Sequence, residues 1–246
     1  MSRPDDATMA SATAAALSLE AVPRPVRREV LRASAGRAVE RLEFAGRAAI
    51  CKWRDDRPND REAVLYRGLR APVLAALDGP HLLGCLSAGG VHLLFLEPLE
   101  GSHPDWDDPA HVRRTFGHLG RLHRRTARML EARADAFADA TAWAELRADG
   151  YPDDGVPGEP WVLDPGDLHA ENFLLQGGGR VRLMDFENMA VRPRRRALRQ
   201  LREDRSLPQG PMAILALYAY WQAAGWPGPA DPALLPADAG PPGAGP

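Results

Sequence analysis

The chain has 246 residues, 45% of them hydrophobic and 26% charged, an ordinary globular composition that excludes disorder throughout. Its 31 basic and 33 acidic side chains leave a formal charge of −2, so electrostatics single out no partner and no nucleic-acid role is expected. No apolar run approaches the roughly 18–20 residues that span a bilayer, and Asp5 and Asp6 precede a weak Ala-rich stretch unlike a secretory signal, so a cytoplasmic protein with no membrane partner is expected. Thirty of the basic residues are arginine, and Lys52 is the only lysine. Arginine presents a planar fork and lysine a slim point charge, so a tight pocket can require lysine; a single lysine also arises by sampling.

In chain order, residues 1–22 are Ala-, Ser- and Thr-rich and read as a flexible leader. From Val30 to Gly101 the segments are short and β-leaning. "AVERLEF", "AGR" and "AAICKW" predict one hairpin, and "HLLGCLSA", "GG" and "VHLLFLE" predict a second. Cys51 and Cys85 fall in these strands and read as free, apolar thiols. Between the hairpins "PNDREAVLYRGL" predicts a helix capped by Asn59 or Asp60, with Glu62, Leu65, Tyr66 and Leu69 on one face. After Gly101 a long helix is predicted from Pro109, carrying Val112, Phe116, Leu119 and Leu122 at helical spacing. "NFLL", "QGGG" and "VRLM" predict a hairpin inside this helical half, and "PMAILALYAYWQAA" a nearly all-apolar helix. Residues 227–246 hold seven prolines and four glycines and read as a disordered tail. The layout is a small sheet-rich N-lobe followed by a larger helical C-lobe.

The segment "DPGDLHAENFLLQGGGRVRLMDFE" concentrates the chemistry. Asp167 and Asn172 lie five apart on a loop leading into a strand, and Asp185 follows thirteen residues after Asn172, at the end of the next strand. A tight hairpin brings Asn172 beside Asp185, giving an amide oxygen and a carboxylate suited to Mg²⁺. Asp167, just before them, is placed to meet a substrate hydroxyl. His118 and His123 are five apart and so do not share a helix face as a metal pair would.

"PGDLHAEN" followed by "DFE" resembles the signature of the aminoglycoside phosphotransferase and choline kinase-like family, within the protein kinase-like superfamily. "AAICKW", "DREAVLYRGL", "LLFLEPLEG" and "LGRLHRR" are similar to further family segments in the family's order, over residues 30–224. The resemblance implies an α+β, bilobal protein kinase-like fold: an antiparallel-sheet N-lobe with one helix at 23–100 and a larger, mainly helical C-lobe at 101–226. It implies an ATP- and Mg²⁺-dependent kinase that moves the γ-phosphoryl group to a hydroxyl of a small-molecule acceptor. Asp167 would accept the hydroxyl proton, and Asn172 and Asp185 would hold the metal. Lys52 would reach the α- and β-phosphates while pairing with Glu62. The Glu97 carbonyl and the Leu99 amide would hold adenine, with Pro98 between them lacking a donor. Gly36, in "ASAGR", would lie in the phosphate-covering loop. Read without the resemblance, Glu62 also fits a capping box with Asn59, and His169 is structural beside Asp167.

Three features depart from the family pattern. Pro165 stands where a histidine usually precedes Gly-Asp. Arginines at Arg195 and Arg196 stand where an aspartate usually buttresses the catalytic loop, unless Asp204 or another acid supplies that support. Only one firm helix is expected after the Arg-rich stretch, which predicts a small or open acceptor pocket. "RPRRRALRQLR" predicts a helical stripe of Arg192, Arg195, Arg199 and Arg202. The alternative function is a pseudokinase-like nucleotide-binding module without turnover.

Overall fold

A computed structural model of the protein describes residue 11 and residues 25–44, 46–55, 61–88, 91–132, 137–148 and 159–225. The expected tail, the expected leader apart from residue 11, and the expected cap at Asn59 or Asp60 lie outside the described residues. The chain divides into two compact units, Met1–Tyr66 with Pro80–Leu99, and Arg67–Gly79 with Glu100–Pro246.

The first unit is built on an antiparallel sheet of β1 (Arg27–Ser34), β2 (Arg37–Phe44), β3 (Arg47–Arg54), β4 (Leu82–Ala88) and β5 (Val91–Leu96), in the order β1-β2-β3-β5-β4. Both expected hairpins form, β2 with β3 and β4 with β5. Strand β3 alternates as its sequence requires: Ala49, Cys51 and Trp53 are buried, while Ile50 and Lys52 turn to the other side. The buried side joins Ala38, Leu42, Cys51, Trp53, Leu93 and Phe95 in one apolar cluster. Glu40 lies on this same side, opposite Cys51 in register, and is fully buried. Its carboxylate accepts from Arg28 Nε at 3.0 Å, Arg28 Nη2 at 3.2 Å and Trp53 Nε1 at 3.1 Å, so the charge is both paired and hydrogen-bonded. Burial first, and Glu40 second, push the Cys51 thiol up. Helix α1 (Arg61–Gly68) begins in this unit.

The second unit holds α2 (Ala71–Leu77), α3 (Pro109–Ala132), α4 (Ala140–Ala148), β6 (Trp161–Asp164), β7 (Phe173–Leu175), β8 (Val181–Leu183), β9 (Ala190–Pro193), α5 (Arg194–Glu203) and α6 (Pro211–Ala224). Asp108 caps α3 by accepting the Ala110 amide at 2.7 Å, and Val112, Phe116, Leu119 and Leu122 form its buried stripe. Helix α6 runs between Pro211, at its first turn, and Gly225, in the left-handed region at φ 67°. The two helices approach so closely that a Cβ on Gly120 would lie 2.3 Å from the Tyr220 carbonyl oxygen. His123 meets the Tyr220 hydroxyl at 2.7 Å inside this contact.

The hairpin β7–β8 forms where expected, and a second antiparallel pair joins β6 to β9. The segment after α2 is fastened to β8 by charge. Arg180 forks onto the Asp78 carboxylate, and Arg182 donates to the Asp78 and Gly79 carbonyls at 2.6 Å each. The Arg-rich helix begins at Arg194, so Arg192 belongs to β9 and not to a helical stripe. Pro193 explains the break: its missing N–H and fixed φ suit the entry to a helix. No helix among the described residues is long and apolar enough to cross a membrane.

Candidate active site

In the first unit Lys52 Nζ lies 2.8 Å and 2.9 Å from the two carboxylate oxygens of Glu62. The sequence builds this pair from two periodicities. Alternation along β3 turns Lys52 away from the Cys51 side, and Glu62 sits in the first turn of α1, where the helix dipole favours an acid. The Glu62 side chain is 4% exposed and that of Lys52 21%, so the acid is enclosed while the lysine side chain keeps some access to solvent. Glu62 is thus engaged by lysine, whereas its possible capping partner Asn59 lies outside the described residues.

Gly36 occupies the two-residue turn between β1 and β2 at φ 74°, and its carbonyl accepts the Asp55 amide at 2.8 Å. After β5 the chain from Glu97 to Glu100 leaves the sheet. The Glu97 amide donates to the His81 carbonyl at 2.9 Å, and the His81 amide donates to Glu97 Oε2 at 3.3 Å. The Leu99 amide has no hydrogen-bond partner among the described residues.

In the second unit β6 delivers the chain to Pro165, Gly166 and Asp167. Asp164, 1% exposed, accepts the Gly166 amide at 3.2 Å and Arg192 Nη1 at 3.0 Å. Burial pushes the Asp164 carboxyl up and Arg192 pulls against it. Gly166 turns through φ 77° and packs so that a Cβ there would sit 2.0 Å from the Asn188 carbonyl oxygen. Only glycine satisfies both the dihedral and the space. Leu168, fully buried, anchors the loop's apolar side, leaving Asp167 and His169 half-exposed.

A short 3₁₀ turn, Ala170–Asn172, then enters β7. Asn172 Nδ2 donates to the Asp167 carbonyl at 3.3 Å, which ties the loop's two polar residues together. The Met184 amide donates to the Asn172 carbonyl at 2.8 Å, so the β7–β8 ladder extends to the residue before Asp185. Asp185 Oδ1 accepts the Glu187 amide at 2.9 Å. Asn172 and Asp185 therefore flank the open end of one hairpin. One amide oxygen and one carboxylate, both half-buried, fit a Mg²⁺ ion that completes its shell with phosphate oxygens and water. No group of three or more His, Cys, Asp or Glu residues placed to hold a metal occurs among the described residues.

Sequence reasoning offered Asp204 as a support for this loop and missed the part played by Asp164, Arg192 and Ser206. Pro165 is buried and the chain turns over it, with Asp164 capping the Gly166 amide. The acid missing near Arg195 and Arg196 is matched by a reversal of partners: Asp164 pairs with Arg192, and Asp204 lies beside His169 and Ser206. "DPG" at 164–166 and "DRS" at 204–206 are both turn-forming patterns, but neither indicates a partner so far away in sequence.

No protein-family model and no curated protein matches the sequence. Solved structures do match. The macrolide 2'-phosphotransferase apoenzyme from Brachybacterium faecium aligns with TM-score 0.55 and 20% identity over 82% of this chain and 78% of that one. An aminoglycoside phosphotransferase from Alicyclobacillus acidocaldarius gives TM-score 0.51 and 16% identity over 85% and 76%. A spectinomycin phosphotransferase in complex with ADP and spectinomycin gives TM-score 0.57 and 10% identity over 91% and 80%. The mixed architecture, an antiparallel sheet and a helical region, is therefore the fold that these phosphotransferase structures share.

Proposed function

We propose that the protein is an ATP-dependent small-molecule kinase that transfers the γ-phosphoryl group to a hydroxyl of an aminoglycoside-like, amino-alcohol or other metabolite acceptor, acting in the cytoplasm. Residues 23–100 form its nucleotide-binding lobe and residues 101–226 its substrate lobe in a bilobal kinase-like plan. The observation that carries this reading is the Lys52–Glu62 pair at 2.8 Å, formed by the chain's single lysine in a fold shared with phosphotransferases. A lysine held by a buried acid presents a compact cation to phosphate oxygens, which arginine's wider fork does not reproduce.

Each remaining residue has one task. Lys52 engages the α- and β-phosphates, and Glu62 fixes the lysine. The Glu97 carbonyl and the Leu99 amide read adenine from an irregular segment, and Gly36 brings backbone close to the phosphates. Asn172 and Asp185 hold Mg²⁺, which, when bound, offsets negative charge on the phosphates. Asp167 orients the acceptor hydroxyl and takes its proton.

The test is MgATP turnover against spectinomycin, streptomycin, a macrolide, a fructosamine and choline, comparing wild type with Asp167→Asn. Loss of a positioned general base costs on the order of 10²–10⁴ in kcat. Equal, background-level turnover in both, with ATP binding intact, would replace the kinase reading with that of a pseudokinase-like nucleotide-binding module.

A further inference from the structure

The outer face of α3 carries one kind of charge. Between Arg113 and Arg128 every residue that is not buried is an arginine: Arg113, Arg114, Arg121, Arg124, Arg125 and Arg128. Offsets of seven, four and three residues keep Arg114, Arg121, Arg125 and Arg128 on one stripe, about 21 Å long at roughly 1.5 Å per residue. Val112, Phe116, Leu119 and Leu122 bury the opposite side of the helix, which leaves the stripe to solvent. The turn beside its N-terminal end, Gly177–Gly179, is bare backbone, and a Cβ on Gly179 would still stand 3.8 Å from Arg114 Nε.

None of these arginines hydrogen-bonds or pairs with an acid among the described residues. Arginines elsewhere do: Arg28 meets Glu40, Arg180 meets Asp78, Arg192 meets Asp164 and Arg195 meets Glu159. On α3 the neighbours three or four residues apart are other arginines, Arg121 with Arg124 and Arg125, and Arg128 with the same two. Like charges at this spacing oppose helix formation. Partial burial first, and the charges of Arg125 and Arg124 after it, hold the Arg121 guanidinium below its ordinary value. A helix face that serves solubility alone gains by interleaving both signs. A face of one sign costs the helix stability, and an anion laid along it offsets that cost. The net charge of −2 hides this segregation, because it sums over the whole chain.

What the face lacks selects its partner. Protein interfaces are centred on buried apolar and aromatic anchors, and a helix lying on a membrane needs an apolar side to enter it. The exposed residues of this segment supply neither. A phosphodiester backbone asks only for repeated cations, and the guanidinium fork matches phosphate oxygens two at a time. We propose that the arginine stripe of α3 binds the phosphate backbone of a nucleic-acid duplex without reading its base sequence. Contacts to phosphate fix position and carry no sequence information. The binding is separate from the phosphotransfer chemistry and does not depend on it.

The test is fluorescence anisotropy of a labelled mixed-sequence DNA duplex of about two turns, titrated with the full chain at a series of salt concentrations. Each phosphate contact contributes about −0.9 to the slope of log K against log salt, so the four arginines of the stripe give a slope near about −3.6. Affinity should then fall on the order of a hundredfold between about 50 and 200 mM salt. Arg121→Gln with Arg125→Gln should make the slope shallower by about 1.8, and relieving the crowded charges should leave the melting temperature no lower. Arg47→Gln, an exposed arginine at the start of β3, should leave the slope unchanged. A second duplex of different sequence should bind equally well. Absence of duplex binding at low salt, or a slope indifferent to Arg121→Gln with Arg125→Gln, would overturn the inference. So would binding to vesicles of anionic phospholipid without binding to the duplex.

Discussion

Glu40 and Lys52 stand one register step apart on the β2–β3 hairpin, on opposite sides of the sheet, and each anchors an ion pair. Their surroundings differ. Glu40 is wholly enclosed, and an arginine fork and an indole N–H close around it from three directions. Lys52 is partly open to water and meets its acid with a compact ammonium. The first arrangement satisfies a charge that would otherwise be costly inside an apolar cluster, and it adds no chemistry. In the second, the enclosed member is the acid and the accessible one the base, the polarity that an anionic ligand requires. On the proposed reading, what separates the structural pair from the ligand-directed one is which partner keeps contact with solvent.

Among single substitutions the largest effect on stability should come from cutting the enclosed pair. Glu40→Ala leaves the half-buried Arg28 and the buried Trp53 Nε1 without their acceptor and should cost about 3 kcal/mol, read as a shift in urea midpoint at constant slope. Acid supplies the next effect and sets the pH at which the pairs should be compared. Burial foremost lowers His118 to about 4 and His123 to about 3, from an ordinary 6.5, so both are neutral in the native state. The unfolded chain takes up these protons below 6.5 and the native chain does not, so stability should fall as pH drops from 6.5 toward about 4. Each histidine contributes up to about 1.4 kcal/mol per pH unit, and His118→Gln should remove its share of the slope.

Trp53→Phe is a milder cut. It removes one of the donors to Glu40 and should cost about 1–2 kcal/mol, with ATP binding unaltered. Lys52→Arg should have the smallest effect on folding, within about 0.5 kcal/mol, since charge and partial exposure are kept. It should nevertheless weaken ATP binding or turnover, measured as kcat/KM; unchanged kinetics would make the two pairs equivalent and remove Lys52 from the site.

The parts of the fold that could be read in the sequence are those in which period and punctuation agree. Helix α6 has a proline at its first turn and a glycine just past its end, and the turns "GG" and "QGGG" mark hairpins whose strands alternate or are apolar. Strand β1 gave no such signal because its side chains are almost all exposed, and its apolar residues Val30 and Leu31 are adjacent rather than alternating. Helix α2 is seven residues with a proline in its first turn, too short for a periodic stripe. Strands β6 and β9 have four residues each, and their pairing joins Asp164 to Ala190, a contact no local pattern encodes.

The candidate site divides in the same way. Hairpin geometry set Asn172 beside Asp185, whereas Lys52, Glu62 and Asp167 could be named because "PGDLHAEN", "DFE" and the segments around them resemble a known family. Glu40 could not, since a single acid in a strand reads as solvated until Arg28, twelve residues earlier on a neighbouring strand, is seen to reach it. The contact of Ser206 was invisible for a related reason: its hydroxyl meets a ring 37 residues away.

The burial of Cys51 has a practical consequence. The chain has only two cysteines, and one is sealed beneath the sheet, opposite a carboxylate in register, with its thiolate disfavoured. Cys85, on β4, is only half-buried. A maleimide probe applied to the folded protein should therefore label one position, turning Cys85 into a single-site fluorescent reporter without any engineered substitution.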